Sequence, residues 1–193
     1  MITTKIDRVP LRRPLLGAVL DVWGQGGVLH MIPVAGHSML PLLQNGDQVV
    51  VAHGWASGRR GDVVVFRRGD ALVVHRVLRM YNGNSEPMVI TKGDNLSYFD
   101  APLGANDIVG RVLAIKRGGR CLPLDTPVWR ILGWLIAVSA WGWQALDGWS
   151  QRCEQRRVAP QMKRRLAFLR RSAWAIYSRA LIGVQEVLRR WYA

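Results

Sequence analysis

Short apolar runs separated by turn-forming residues extend over residues 27–116. The runs are rich in Val, Ile and Leu and are bounded by Gly, Asn and Asp, which is typical of strands in an antiparallel sheet or small barrel. Residues 67–70 are expected to join two of these strands as a hairpin. The predicted strands cover residues 48–52, 62–66, 71–78, 88–90 and 108–115. The predicted fold class is therefore mainly β, a small antiparallel sheet or barrel with a C-terminal α-helical tail.

Helical spacing replaces the strand pattern after Thr126. Pro127 suits the first turn of a helix and disfavours helix in the residue before it, so we place a boundary between a domain of residues 1–126 and a tail of residues 127–193. Over residues 161–191, apolar residues recur at spacings of three and four, which predicts an amphipathic helix. Its predicted apolar stripe consists of Leu166, Leu169, Ala173, Ile176, Ala180, Val184, Val187 and Trp191.

Charge is concentrated in this tail. The chain carries a net charge of +14, and residues 151–193 hold eleven Arg or Lys against two Glu. An anionic partner is expected, either a membrane surface or nucleic acid. A basic amphipathic helix edged by Trp favours an anionic membrane, which we expect to bind residues 129–193. Nucleic acid is disfavoured because no recognised DNA-binding motif is visible. Helices packed on the sheet or on each other are the alternative.

The position of the protein relative to the membrane stays open. Residues 131–146 carry no charged side chain, and a helix of that length covers ~24 Å against a hydrocarbon core of ~30 Å, which is marginal for spanning. The apolar stretch after Arg13 is short and ends at Asp21, so residues 13–23 are predicted to form an amphipathic helix and not an export signal. We expect association with the cytoplasmic membrane, on a side that the pattern does not define.

Three segments contain residues that could activate a hydroxyl group. Ser38 lies in Gly-x-Ser-Met-x-Pro at residues 36–41, His75 lies within an apolar strand, and Asp94 and Asp100 lie in and after Thr-Lys-Gly-Asp-Asn at residues 91–95. A His can remove the Ser proton, an Asp can orient the imidazole, and backbone N–H groups can hold the oxyanion. Each segment alone is also ordinary turn or strand sequence. Two Cys exclude a disulfide scaffold and a Cys-based zinc ribbon, and we expect neither metal nor cofactor.

Taken in order, these motifs resemble the signal peptidase I and LexA-like serine peptidases over about residues 27–116. The resemblance also includes Asn-Gly-Asp at residues 45–47, Gly-Asp-Val-Val-Val-Phe at 61–66 and His-Arg-Val at 75–77. It implies that Ser38 is the nucleophile. Bacterial signal peptidases and LexA-like proteins use a Lys general base on the strand after the Gly-Asp-Val-Val segment, where this chain has His75. A His there resembles the archaeal and endoplasmic-reticulum branch.

The resemblance also implies an acidic third residue, for which Asp100 is preferred and Asp94 is the alternative. Gly36 occupies a position where typical signal peptidases carry a hydroxyl residue, so backbone N–H groups, that of Ser38 among them, would hold the oxyanion. His37 is a competing base, although a residue adjacent to the nucleophile usually points elsewhere. A base with the reference His pKa of about 6.5 predicts cleavage that falls away below roughly pH 6.

The function that follows is a serine endopeptidase that cleaves signal or leader peptides at a membrane and binds substrate as an added strand. A LexA-like regulatory or self-cleaving peptidase is one alternative, and the roughly 26 residues before the protease are expected to be too few for a DNA-binding domain. A non-catalytic module that binds membrane or nucleic acid is the other alternative.

Overall fold

The described part of the computed structural model comprises residues 29–54, 58–83, 86–155 and 160–192. Its strands form one antiparallel sheet in the order β1-β2-β7-β3-β4-β5-β6, and β8 pairs with β7. The strands are β1 (Leu29–Pro33), β2 (Gln48–His53), β3 (Val63–Arg68), β4 (Ala71–Asn82), β5 (Pro87–Lys92), β6 (Leu103–Gly104), β7 (Ile108–Arg117) and β8 (Arg120–Pro123). A short 3₁₀ helix covers Ala105–Asp107, and two long helices follow, α1 (Pro127–Gln155) and α2 (Pro160–Tyr192).

The predicted fold class is confirmed, and all five predicted strands are present. The predicted hairpin connection joins β3 to β4 through Gly69, whose φ of +58° lies in the left-handed region that glycine adopts readily. The prediction missed β1, β6 and β8. These strands have two to five residues each and bury few side chains, so they leave little alternation to detect.

Strand β3 is buried on both faces, and this divides the core in two. Val63 and Val65 belong to a large cluster that also contains side chains of both helices, while Val64 and Phe66 belong to a smaller cluster. Successive side chains of a strand point to opposite faces, so a continuous apolar run is expected where both faces are covered. The helices contribute Trp129, Ile136, Ala137, Ala140, Tyr177, Ala180, Val184 and Leu188 to the large cluster. The sheet and the helical tail therefore share one core, and their division into two domains stays a prediction.

Helix α1 begins at Pro127, where the sequence predicts it, and approaches the sheet through a pair of glycines. A Cβ added to Gly133 would lie 2.6 Å from the carbonyl oxygen of Gly61 and 2.9 Å from Nη1 of Arg76. Gly61 has a φ of +94°, and a Cβ there would lie 2.5 Å from the backbone nitrogen of Trp134. Two residues without side chains thus let the helix backbone pack directly on the turn before β3.

The apolar stripe predicted for the last helix is partly wrong. The helix itself is confirmed as α2, but Leu169, Ile176 and Trp191 are 49%, 51% and 44% exposed. Ala180 and Val184 of the predicted stripe are buried, and Tyr177 and Leu188, which the prediction did not include, are buried with them. The side chain of Leu166 lies outside the described set. The sequence places apolar residues on two adjacent faces of α2. The face that packs in the core carries the small side chain of Ala180 and the hydroxyl of Tyr177, which forms hydrogen bonds with Lys92 and the carbonyl oxygen of Asp94.

Among the described helices, none contains a stretch long and apolar enough to cross a membrane. Residues 131–146, which the sequence makes marginal for spanning, form the middle of α1. Ile136, Ala137 and Ala140 in this segment are buried in the core, whereas Ile131 and Trp134 are 61% and 49% exposed. The amphipathic helix predicted over residues 13–23 lies outside the described residues.

Candidate active site

Ser38 lies in the turn that follows β1, and a neighbouring loop holds its backbone. The backbone N–H of Asn95 donates to the carbonyl oxygen of Ser38 at 2.8 Å, and Asn95 Nδ2 donates to the carbonyl oxygen of His37 at 3.1 Å. Gly36 has a φ of +102°, a conformation that residues with a Cβ rarely adopt. A Ser or Thr would be strained at position 36, so this turn is built without the hydroxyl residue that typical signal peptidases carry there.

His75 lies in the middle of β4 and is 3% exposed. Its Nδ1 is 2.6 Å from Oδ2 of Asp100, and Thr91 Oγ1 donates to the same oxygen at 2.7 Å. Arg68 donates to the other carboxylate oxygen of Asp100. Burial alone would raise the pKa of Asp100, but the hydrogen bonds from His75, Thr91 and Arg68 outweigh it and hold the pKa below its usual range. An ionised Asp100 is suited to orienting the imidazole.

Gly93 brings the Ser38 turn and His75 together. A Cβ added to Gly93 would lie 2.6 Å from the carbonyl oxygen of Ser38 and 3.0 Å from Nε2 of His75. The second imidazole nitrogen therefore faces the same glycine as the Ser38 backbone. If Asp100 accepts the proton of Nδ1, the lone pair of Nε2 is left on the side of the serine. This is the tautomer that a general base for a serine hydroxyl requires.

Asp94 forms a separate, buried ion pair with Arg76. Arg76 Nε and Nη2 donate to the two carboxylate oxygens of Asp94 at 2.8 and 2.6 Å, and Nη1 donates to the carbonyl oxygen of Gly61 at 2.8 Å. The two side chains are 4% and 2% exposed. Burial alone would lower the pKa of Arg76, but the adjacent carboxylate of Asp94 raises it. Asp94 thus binds a guanidinium while Asp100 binds His75.

The competing base, His37, is exposed, and its backbone carbonyl oxygen accepts a hydrogen bond from the side chain of Asn95. Three further residues at the site were not singled out from the sequence: Arg68, Thr91 and Asn95. Thr91 and Asn95 are the first and last residues of the Thr-Lys-Gly-Asp-Asn motif, so the motif itself could have pointed to them. Arg68 is the last residue of β3, next to the β3–β4 turn, where a basic residue gives no signal of a site.

A small cavity opens beside Ser38. Its volume is about 230 Å³, and it lies between the end of β1 with the turn after it and the start of β4. Its lining includes Ile32, Val34, Gly36, Met39, Leu72 and Val74. Most of the side chains that line it are apolar, which suits a small aliphatic side chain. In the described part of the chain, no cluster of three His, Cys, Asp or Glu side chains could hold a metal ion.

Comparison with known proteins relates this arrangement to peptidases. A family model described as Peptidase S24-like matches residues 4–113. A signal peptidase complex catalytic subunit of Clavispora lusitaniae is 35% identical over 95 residues, which are 44% of this chain and 57% of that protein. Subunits of the same name from Pyrenophora tritici-repentis and Scheffersomyces stipitis are 33% and 30% identical, covering 43% and 48% of this chain and 55% and 66% of those proteins. The chain thus spans little more than half to two thirds of these relatives. The family match ends before α1 and α2 begin.

Proposed function

The chain belongs to the Peptidase S24-like family, and we propose that it is a serine endopeptidase with Ser38 as nucleophile and His75 as general base. One observation carries the proposal. His75 is held by Asp100 through Nδ1 at 2.6 Å, while its Nε2 faces the glycine that packs on the Ser38 backbone. A nucleophile next to a base that is itself oriented by a third group is the arrangement that activates a hydroxyl.

The reaction proceeds in two halves. His75 Nε2 accepts the Ser38 hydroxyl proton as Oγ attacks the scissile carbonyl carbon, and backbone N–H groups that include that of Ser38 stabilise the oxyanion. The imidazolium then donates its proton to the departing amine, which leaves an acyl group on Ser38. Water, deprotonated by the same imidazole, releases the acyl group as a carboxylate and restores Ser38. Asp100 keeps the imidazole oriented and stabilises its charged form throughout.

The proposed substrate is a signal or leader peptide bound in an extended conformation. Residues 71–74 of β4 pair with β3, whereas the β4–β5 register begins only at Arg76, so β5 does not cover this stretch of β4. The cavity of about 230 Å³ lies between this stretch and the segment that leads from β1 to Ser38. An added strand could bond to an uncovered edge and place a small side chain in the cavity. The relatives are named signal peptidase complex catalytic subunits, which supports this substrate class.

Membrane association is part of the proposal. Several apolar side chains of the two helices are more than half exposed, among them Val128, Ile131, Phe168, Ile176 and Ile182. Eleven basic residues over residues 151–193 would attract an anionic lipid surface to the same part of the chain. The proposal concerns an anionic membrane in general, since nothing in the described residues favours the cytoplasmic membrane over another.

The test is a comparison of protein N-termini in cells that carry the wild type, Ser38→Ala or the control Ser178→Ala. Ser178 is a half-buried serine of α2, outside the residues that make up the candidate site. New N-termini should depend on Ser38 and not on Ser178, and they would define the cleavage rule directly. A serine-directed acylating reagent should label the wild type and the control but not Ser38→Ala.

The same experiment separates the alternatives. Ser38-dependent fragments of the chain itself, without new N-termini in other proteins, would favour a self-cleaving peptidase. Cleavage that persists in Ser38→Ala, or a wild type that neither cleaves nor reacts with the acylating reagent, would overturn the proposal.

A further inference from the structure

The loop between β5 and Asp100 is held by both helices of the tail. The hydroxyl of Tyr177 on α2 donates to the carbonyl oxygen of Asp94, and Lys92 Nζ donates to the Tyr177 oxygen at 3.1 Å. From α1, Gln144 Nε2 donates to the carbonyl oxygen of Ser97 at 2.6 Å. Tyr177 and Lys92 are 6% and 4% exposed, so the two bonds of the Tyr177 hydroxyl lie inside the protein, whereas the bond from Gln144 is exposed.

The Tyr177 hydroxyl donates to the same peptide group that holds the backbone of Ser38. The carbonyl of Asp94 and the N–H of Asn95 belong to one planar unit, which we call the 94–95 peptide. Its carbonyl oxygen accepts from Tyr177, and its N–H donates to the carbonyl oxygen of Ser38 at 2.8 Å. A single rigid group therefore connects α2 to the turn of the candidate nucleophile.

The charge states around Tyr177 fix the direction of this hydrogen bond. Burial and the nearby carboxylate of Asp94 raise the pKa of the Tyr177 hydroxyl well above its usual value, so it keeps its proton. The Lys92 amine donates to the phenol oxygen, and the phenol proton is directed to the 94–95 peptide. Donation to a peptide carbonyl polarises that peptide and strengthens the bond made by its N–H.

From these contacts we propose that the two helices of the tail position Ser38, with Tyr177 as a positioning residue that acts through the 94–95 peptide. The proposal rests on the proposed function and extends it to a part of the chain beyond the family match, which ends at residue 113. Tyr177 does not touch the substrate in this scheme. It keeps the Ser38 turn at the distance from His75 that proton transfer requires, and small displacements of a reacting group are costly to the rate.

Tyr177→Phe tests the proposal, because it removes the hydroxyl and keeps the ring in the core. We expect kcat to fall on the order of tenfold with KM within about twofold of the wild type, since only the geometry of the reacting groups changes. Acylation of Ser38 by a serine-directed reagent should slow by a similar factor. Rates are expressed per active site titrated with that reagent, so that a loss of folded protein does not imitate the effect. Tyr81→Phe, a half-buried tyrosine of β4, is the matched control and should leave kcat unchanged.

Hydrogen exchange provides a readout of the link itself. In Tyr177→Phe the Asn95 amide should exchange faster, while the Val77 amide, which donates to Asp62, should keep its protection. Unchanged kcat and unchanged Asn95 exchange in a folded Tyr177→Phe would overturn the proposal. If that variant does not fold, Gln144→Leu releases the other helix contact with the same loop, and a wild-type kcat in Gln144→Leu would overturn the proposal equally. If the wild type itself shows no Ser38-dependent cleavage, the proposed function is refuted. The failure of the positioning proposal and the failure of the proposed function therefore give different results.

Discussion

Asp100 forms hydrogen bonds with three side chains that differ in charge and exposure. Thr91 donates a neutral hydrogen bond, His75 is held through Nδ1, and Arg68 brings a guanidinium that is 50% exposed. Together they hold the pKa of Asp100 below its usual range against the opposing effect of burial. Because the folded-state pKa lies below that of the unfolded chain, the carboxylate stabilises the fold at neutral pH. This contribution is lost as the pH falls through the folded-state pKa.

Arg68→Gln should move the acid limb of the pH–rate profile to higher pH. A histidine base is active only in its neutral form, so cleavage by the wild type is expected to fall away towards acid pH. The guanidinium of Arg68 shares Asp100 with His75 and opposes a positive charge on the imidazole. Its removal favours the protonated, inactive form. The expected shift is several tenths of a pH unit, because an exposed charge is partly screened.

The measurement is kcat/KM between pH 4 and 9 at low salt, with Arg67→Gln as control because Arg67 is the exposed neighbour in sequence. Addition of salt should reduce the difference between Arg68→Gln and the wild type. A shift to lower pH in Arg68→Gln would contradict the prediction. A wild-type profile that rises only above pH 8–9 would contradict His75 as the base.

The two aspartates show how far the sequence could define the site. Ser38, His75 and an acidic partner could be named from motifs, but Asp94 and Asp100 are both close to the same motif. His75 and Arg76 are neighbours on β4 and point to opposite faces, and each binds one aspartate. The alternation of side chains along β4 predicts different environments for His75 and Arg76. It does not predict which of the two aspartates lies on which face. That depends on the path of residues 93–100, which only the folded chain defines.

At the scale of elements, the contact between α1 and the sheet depends on the absence of side chains. Gly133 on α1 faces the carbonyl oxygen of Gly61 and the guanidinium of Arg76, each within 3 Å of where a Cβ would lie. Arg76 in turn binds Asp94 in the loop that follows β5. Helix α1 therefore packs next to the Arg76–Asp94 ion pair, which anchors this loop.

Gly133→Ala should destabilise the protein even though alanine is the better helix former. Alanine gains about 1 kcal/mol over glycine in a helix interior, but here its Cβ would lie 2.6 Å from a backbone oxygen that cannot rotate away. Overpacking of this kind costs about 1–3 kcal/mol, so after the gain in helix propensity we expect a net loss of up to about 2 kcal/mol in the free energy of unfolding.

Gly142→Ala is the control in the same helix, because a Cβ at Gly142 would meet nothing within 4 Å. It should stabilise the protein by up to about 1 kcal/mol through helix propensity alone. Denaturant unfolding of the wild type and both variants measures the difference. Equal stabilisation by the two alanines would mean that α1 does not pack on the turn before β3 as described.

The sequence predicts the extent of α2 but only part of its buried face. The extent of α2 follows from apolar spacing over residues 161–191, and the helix found is Pro160–Tyr192. Ala180 and Val184 of the predicted stripe are buried, but Ile176 is exposed and its neighbour Tyr177 is buried. Hydropathy ranks Ile above Tyr for burial. The hydroxyl partners that make Tyr177 suitable for the core belong to a loop more than 80 residues away.

For the whole molecule, basic charge and exposed apolar side chains fall in the same region. Residues 151–193 carry eleven of the 27 Lys and Arg residues, and exposed large apolar side chains occur along both helices, including Phe168 at 70%. Scattered exposed apolar residues are common on protein surfaces. Their combination with a strong basic charge is what favours an anionic lipid surface.

The full chain carrying Ser38→Ala should sediment with vesicles that contain anionic lipid and much less with neutral vesicles, and its binding to the anionic vesicles should weaken as salt increases. Ile131→Asn with Phe168→Asn removes two exposed apolar contacts from the helices and should weaken binding to anionic vesicles on the order of a hundredfold, since each buried apolar side chain contributes about 1.5–3 kcal/mol and about 1.4 kcal/mol corresponds to tenfold. Met80→Asn changes a side chain of β4 that is 42% exposed and should bind as the parent does. Competition by short duplex DNA tests the nucleic-acid alternative, because a DNA-binding surface would release the vesicles at equal charge concentration. Equal binding to neutral and anionic vesicles, or an unchanged affinity in the double variant, would contradict membrane association through the helices.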